Sequence, residues 1–175
     1  MKVGFIGCGN MASAMLGGII QKGVVAKEDL MASARTEKTR KKIKEEFQIA
    51  AIEDNKELAA KSDIIVLAIK PVYMEEVIEE IAECVTEEKI IVTLAPGKTL
   101  EWLDVTFGKP TKLIRTMPNT PALVGEGMTA LCPNELVSDR EMQVVEEIFQ
   151  SFGKTQVVSE PMICLLYTSP SPRDV

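Results

Sequence analysis

A chain of 175 residues is long enough for one domain with a sizeable core and too short for two of ordinary size. With 46% hydrophobic and 26% charged residues it has the composition of a soluble globular protein, and no stretch reaches the ~18 apolar residues of a membrane helix. A net charge of −6 argues against a general nucleic-acid binder, and the absence of histidine removes the commonest metal ligand, the usual acid–base residue of hydrolases and any Ser-His-Asp triad. Chemistry here has to come from a cofactor.

The first element is a strand over Lys2–Ile6, which ends in Gly7-Cys8-Gly9-Asn10-Met11-Ala12. This is a G-x-G-x-x-A turn placed where a strand feeds a helix, here the apolar-periodic segment Asn10–Lys22. In such a turn the first glycine makes the tight bend, the second lets backbone approach a pyrophosphate, and the small third residue lets helix and strand pack closely. The helix start then faces phosphates with free N–H groups and partial positive charge. Glycine turns also join strands to helices in proteins that bind no nucleotide, so the pattern needs its context. The amino terminus enters this strand at once, without a charged stretch followed by an apolar one, so no secretory signal and a cytoplasmic location are expected.

Further strands are expected at Leu30–Ser33, Ile49–Ile52, Ile64–Ile69, Ile90–Leu94, Lys112–Arg115, Met128–Leu131 and Thr155–Val158. Between them fall helices at Thr36–Phe47, Asn55–Lys61, Met74–Cys84, Leu100–Phe107 and Asp139–Phe152. This alternation implies parallel pairing with helices on both faces of one sheet. The successive apolar residues of Asp63–Ile69 read as a central strand buried on both sides. Ligands of such sheets bind beyond the carboxyl ends of the strands, where Ser33-Ala34-Arg35, Lys70-Pro71 and Ala95-Pro96-Gly97 fall.

An acidic residue about 20 positions after the glycine turn marks a preference for NAD, because it takes the ribose 2′-hydroxyl and repels a 2′-phosphate. That place holds Ser33 and Arg35, with no carboxylate between Ala32 and Thr36. A hydroxyl and a guanidinium suit a phosphate, so NADPH is expected over NADH. The segment from Arg35 to Lys44 carries six basic residues against Glu37, a local charge of +5 against −11 for the rest. It reads either as a lining for that phosphate or as a solvated helix face. Cys8, Cys84, Cys132 and Cys164 have neither C-x-x-C spacing nor disulfide-scaffold density, and are read as reduced residues and not as metal ligands.

Arg115-Thr-Met-Pro118-Asn119-Thr120-Pro121, followed by Gly127-Met-Thr129, is expected to form an ordered non-helical loop on the ligand side of the sheet. A loop this elaborate is either functional or a rigid connection. With the opening Gly-Phe-Ile-Gly-Cys-Gly-Asn-Met-Ala, Asp54-Asn55 and Leu67-Ala-Ile-Lys70-Pro71, it closely resembles pyrroline-5-carboxylate reductase, over residues 1 to about 160. The resemblance implies a Rossmann-type, doubly wound, mostly parallel α/β sheet and NAD(P)H-dependent reduction of 1-pyrroline-5-carboxylate to L-proline, the last step of proline biosynthesis. By matching position, Gly7, Gly9, Asn10, Met11 and Ala12 would line the pyrophosphate, Ser33 and Arg35 the 2′-phosphate, and Asn55 the adenosine ribose. Ala68, Lys70 and Pro71 would sit near the nicotinamide, with Lys70, Asn119 and Thr120 on the substrate side; a lysine at a strand end is also often just solvated.

Members of that family continue into a helical domain that forms an intertwined homodimer and completes the substrate site. In this chain the likeness stops near Glu160, and 161–175 reads as a frame change, a fusion scar or a sequencing artefact, or else as a disordered natural tail. The expectation is therefore a cofactor domain over residues 1–160, incomplete for catalysis. Two other readings stay open: a non-catalytic NADP-binding module, and the cofactor domain of a related dehydrogenase, including one using the deazaflavin F420. The latter would not be expected to carry Met-Pro-Asn-Thr-Pro.

Overall fold

The computed structural model describes residues 1–118 and 127–160. Eight strands form one sheet in the order β3-β2-β1-β4-β5-β6-β7-β8. They are β1 (Val3–Ile6), β2 (Leu30–Ser33), β3 (Ala50–Ile52), β4 (Ile64–Leu67), β5 (Ile90–Thr93), β6 (Lys112–Pro118), β7 (Gly127–Pro133) and β8 (Gly153–Val157). The helices are α1 (Asn10–Lys22), α2 (Glu37–Phe47), α3 (Asn55–Lys61), α4 (Met74–Ile81), α5 (Leu100–Phe107) and α6 (Asp139–Phe149). Every expected element is present, with ends shifted by a few residues.

Strands β1 to β6 all pair in parallel with one another, and β7 runs antiparallel to β6 while pairing parallel with β8. The reversal follows from the connection: the span between Pro118 and Gly127 is shorter than the dozen or more residues a parallel crossover requires.

The central strands β1, β2, β4 and β5 are buried on both faces, and the strand pleat sorts their side chains. Val3, Phe5, Ile64, Val66, Ile90 and Val92 point to the face covered by α1, α2 and α6. Ile6, Ile65, Leu67 and Ile91 point to the face covered by α3, α4 and α5. Burying roughly 1.5–3 kcal/mol per large apolar side chain on both faces is what makes the central strands continuous apolar runs. Helix starts are capped by side chains where the sequence supplies them: Thr36 accepts from Thr39, Asp54 from Lys56, Thr99 from Trp102, and Ser138 forms a capping box with Glu141. Thr36, expected as the first residue of α2, is its cap.

At the start of α1 the pattern breaks. Gly9 occupies the cap position with no side-chain hydrogen bond, and the first turn carries no acidic residue. The free N–H groups there are left for something else.

Candidate functional site

The ends of β1, β2 and β4 open into a cleft of about 350 Å³ lined by Ile6, Gly7, Cys8, Ser33, Ala34, Arg35, Thr36, Thr39, Asn55, Ile69, Tyr73 and Val77. In the sheet order β1 has β2 on one side and β4 on the other, so connections leave it in opposite directions and a crevice forms at its carboxyl end. A hollow of about 500 Å³ beside Gly108–Pro110 lies at the opposite end, before β6 begins, away from these turns.

The two glycines of the opening turn do different work. Gly7 has φ +90°, and a β-carbon there would stand 2.6 Å from the Ala68 carbonyl oxygen. A β-carbon on Gly9 would meet nothing within 4 Å. Gly7 is therefore needed by the fold, while the space beside Gly9 is open to a ligand at the bare start of α1. Asn10 is exposed, Met11 half-buried, and Ala12 fully buried against the sheet, as the close packing of α1 on β1 requires. Cys8 sits in the turn with its Sγ 3.6 Å from Ser13 Oγ, and burial pushes its thiol pKa up.

At the end of β2, Ser33 is 2% exposed and donates from Oγ to Asn55 Oδ1 at 2.6 Å. Asn55 Nδ2 in turn donates to Glu80 Oε1 of α4 at 2.7 Å. The Arg35 guanidinium lies 5.8 Å from the centre of the Tyr73 ring and 3.8 Å from a Glu76 carboxylate oxygen, with most of its side chain in solvent. Ser33, Arg35 and Asn55 thus face one cleft with Gly7.

The basic stretch is only partly a lining. Arg40 is turned inward, donating to the Ala34 and Arg35 carbonyl oxygens, both at 2.9 Å, and pairing with Glu53 at 3.0 Å. Lys38, Lys41, Lys42 and Lys44 are exposed along α2 and do not line the cleft. Helix packing explains this: α2 packs on the sheet through Ile43 and Phe47, so its lysines face solvent, and of the six basic residues Arg35 alone lines the cleft.

Ala68, Lys70 and Pro71 follow β4 beyond the cleft. The Ala68 N–H donates to the Ile6 carbonyl at 2.9 Å, and Pro71 opens a short 3-10 turn that Tyr73 closes onto the Lys70 carbonyl. Lys70 is exposed, and among the described residues its ammonium has no partner. Asn119 and Thr120 lie outside the described residues. The strand leading to them is firmly held: Thr116 Oγ1 donates to the Thr93 carbonyl at 2.9 Å. Buried Arg115 donates to Glu160 Oε2 at 2.9 Å, and the same oxygen accepts from the Leu100 N–H at 2.6 Å. Sequence reasoning missed Glu76, Glu80 and Glu160, which are brought to the sheet ends only by the packing of distant elements.

The sheet order, the glycine bend at the first strand and the polar group at the end of the second define a doubly wound α/β domain of the Rossmann type. Residues 2–97 match the family described as NADP oxidoreductase, coenzyme F420-dependent, and the chain belongs to that family. Over more of its length it is similar to pyrroline-5-carboxylate reductases, as its motifs indicated. The one from Escherichia coli (strain K12) is 41% identical over 162 residues, which is 93% of this chain and 60% of the relative. That from Pseudomonas aeruginosa is 36% identical over 152 residues, 87% of this chain and 55% of the relative. Among solved structures, the Plasmodium falciparum pyrroline carboxylate reductase with NADP bound superposes with a TM-score of 0.81 at 29% identity, covering 95% of this chain and 66% of that one. The Coxiella burnetii reductase gives 0.85 at 28%, covering 96% and 67%. A prephenate dehydrogenase from A. aeolicus, 13% identical with a TM-score of 0.79, shares the fold alone. The chain spans about 60% of the length of the E. coli relative.

Proposed function

We propose that this chain is the cofactor domain, residues 1–160, of an NAD(P)H-dependent reductase that converts 1-pyrroline-5-carboxylate to L-proline in proline biosynthesis. The observation that carries it is the open space beside Gly9 at an uncapped helix start, in the same crevice as Ser33, Arg35 and Asn55. The residues fit a phosphorylated dinucleotide. N–H groups of Asn10, Met11 and Ala12 would hold the pyrophosphate, Gly7 and Gly9 giving it room; Asn55 would hold the adenosine ribose, and Arg35, with Ser33 beside it, the 2′-phosphate. Ala68, Lys70 and Pro71 would border the nicotinamide, with Asn119 and Thr120 beside the substrate. Likeness to a reductase solved with NADP supports the cofactor, and NADPH is favoured over NADH by the Arg35 guanidinium.

Bound NADPH supplies a hydride for the imine carbon. The protein then has to align the reacting atoms and exclude water, tasks that need neither histidine nor metal. Lys70, exposed just after β4, would orient the substrate carboxylate. By likeness to the longer reductases, the full substrate site and a homodimer interface would involve further helical structure. A cytoplasmic enzyme without membrane or nucleic-acid partners is proposed; no described helix is long and apolar enough to cross a membrane.

The family description, which names F420, favours a second reading as an F420-linked oxidoreductase domain, but relatives matching nine-tenths of the chain carry the reductase name. Titration with NADPH, NADH and reduced F420 separates the two. Saturable NADPH binding without F420 binding supports the proposal, and the reverse overturns it.

A further inference from the structure

The carboxylate missing from the end of β2 is supplied from elsewhere. Glu76 and Glu80 stand one turn apart on α4 and both reach the polar group at the end of that strand. Glu80 sets the direction of a hydrogen-bond relay. An ionised carboxylate can only accept, so Asn55 must turn its NH₂ toward Glu80 and its carbonyl oxygen toward Ser33. The Ser33 hydroxyl has one proton, and at 2.6 Å it is committed to Asn55. What Ser33 offers the cleft is its lone pairs. A ribose 2′-hydroxyl can donate to them, whereas a 2′-phosphate brings only acceptors. Arg35, the one guanidinium on the cleft, is at the same time 3.8 Å from the Glu76 carboxylate.

We propose that Glu80 and Glu76 are specificity-determining residues: acting through Asn55 and on Arg35, they oppose a 2′-phosphate and hold the chain's preference for NADPH well below what Ser33 and Arg35 would otherwise give. Neither is placed to touch the reacting atoms, and Glu80 acts by positioning. The inference rests on the reading that the ribose 2′-position lies beside Ser33 and Arg35. Removing the Glu80 charge frees the relay, because a glutamine can accept or donate toward Asn55, the amide can turn, and the Ser33 hydroxyl can donate to a phosphate. Removing the Glu76 charge acts only through a weak exposed pair and has the smaller effect.

The test is calorimetric titration of NADPH and NADH into the chain and its Glu80→Gln, Glu76→Gln, Ser33→Ala, Ser33→Ala/Glu80→Gln and Arg35→Ala variants. Glu80→Gln raises the ratio of NADPH to NADH affinity roughly three- to tenfold, the net scale of one ordinary hydrogen bond, and Glu76→Gln raises it about twofold. In the Ser33→Ala background Glu80→Gln no longer shifts the ratio, a dependence that a merely structural role would not produce. The proposal is overturned if Glu80→Gln leaves the ratio unchanged, lowers it, changes both affinities by one factor, or acts equally without Ser33. Loss of NADPH affinity alone in Arg35→Ala keeps the site reading intact in that event. If Arg35→Ala spares NADPH binding, the site reading itself fails and this inference with it.

Discussion

The carbonyl oxygen of Ala68 fills the space that a side chain at Gly7 would need. A β-carbon there would lie 2.6 Å from it, on a backbone with φ +90° that side chains rarely adopt. Two glycines two residues apart therefore predict opposite outcomes. Gly7→Ala costs folding stability by about 1–3 kcal/mol through strain and clash, measured as a lowered midpoint of urea unfolding.

Gly9→Val folds with near-normal stability, because nothing lies within 4 Å of its β-carbon, yet loses NADPH and NADH alike. Circular dichroism and a fluorescence titration check both halves. A folded Gly9→Val protein binding with unchanged affinity would make the opening turn structural only.

Arg40 and Arg35 separate shape from charge. Arg40 braces the Ala34 and Arg35 carbonyls and pairs with Glu53, so Arg40→Ala loosens the end of β2 and weakens both cofactors together. Calorimetry of the variant with NADPH and NADH should show equal losses of about 1 kcal/mol. A loss confined to NADPH would mean that Arg40 meets the phosphate directly.

How far the sequence could be read follows physical range. Strands and helices were legible because their apolar periods are local, and β4 stops at Leu67 instead of Ile69 because the chain there turns into the 3-10 bend at Pro71. The polarity of Ser33 and Arg35 was equally visible. Their surroundings were not: Glu76 and Glu80 are more than 40 positions away along the chain and arrive only through the packing of α4. The lysines of α2 stayed open between lining and solvated face for the same reason, since a run of charge does not say which side of a helix meets the sheet.

Among the described residues, Glu160 is the carboxylate paired with buried Arg115, and its side chain is 29% exposed while that of the arginine is 7% exposed. Glu160→Ala leaves a buried guanidinium and the Leu100 N–H without their acceptor. Thermal unfolding should show a loss of roughly 2–4 kcal/mol, near the range for breaking a buried pair. Glu160→Gln, which keeps an acceptor, should recover part of it.

Acid sensitivity is expected at Glu141. Partial burial tends to raise its pKa, but hydrogen bonds from Lys112 and Ser138 outweigh this and hold it below the ordinary carboxylate value. A lowered folded-state pKa gives stability that is fully present above the unfolded value and is lost as pH falls through the folded one. Glu141→Gln should therefore be less stable than the parent chain at pH 7, by about 1 kcal/mol, with the gap closing on acidification. Unfolding curves from pH 7 to pH 3 measure it; a gap that widened in acid would contradict the sign.

The cofactor site is tested most simply by the affinity of the chain and its Arg35→Ala variant for NADPH and NADH, measured side by side by calorimetry. One saturable site that binds NADPH more tightly than NADH is expected, with an Arg35→Ala loss of ~1–3 kcal/mol for NADPH and NADH almost untouched. Absence of binding, or equal losses for the two cofactors, would contradict it.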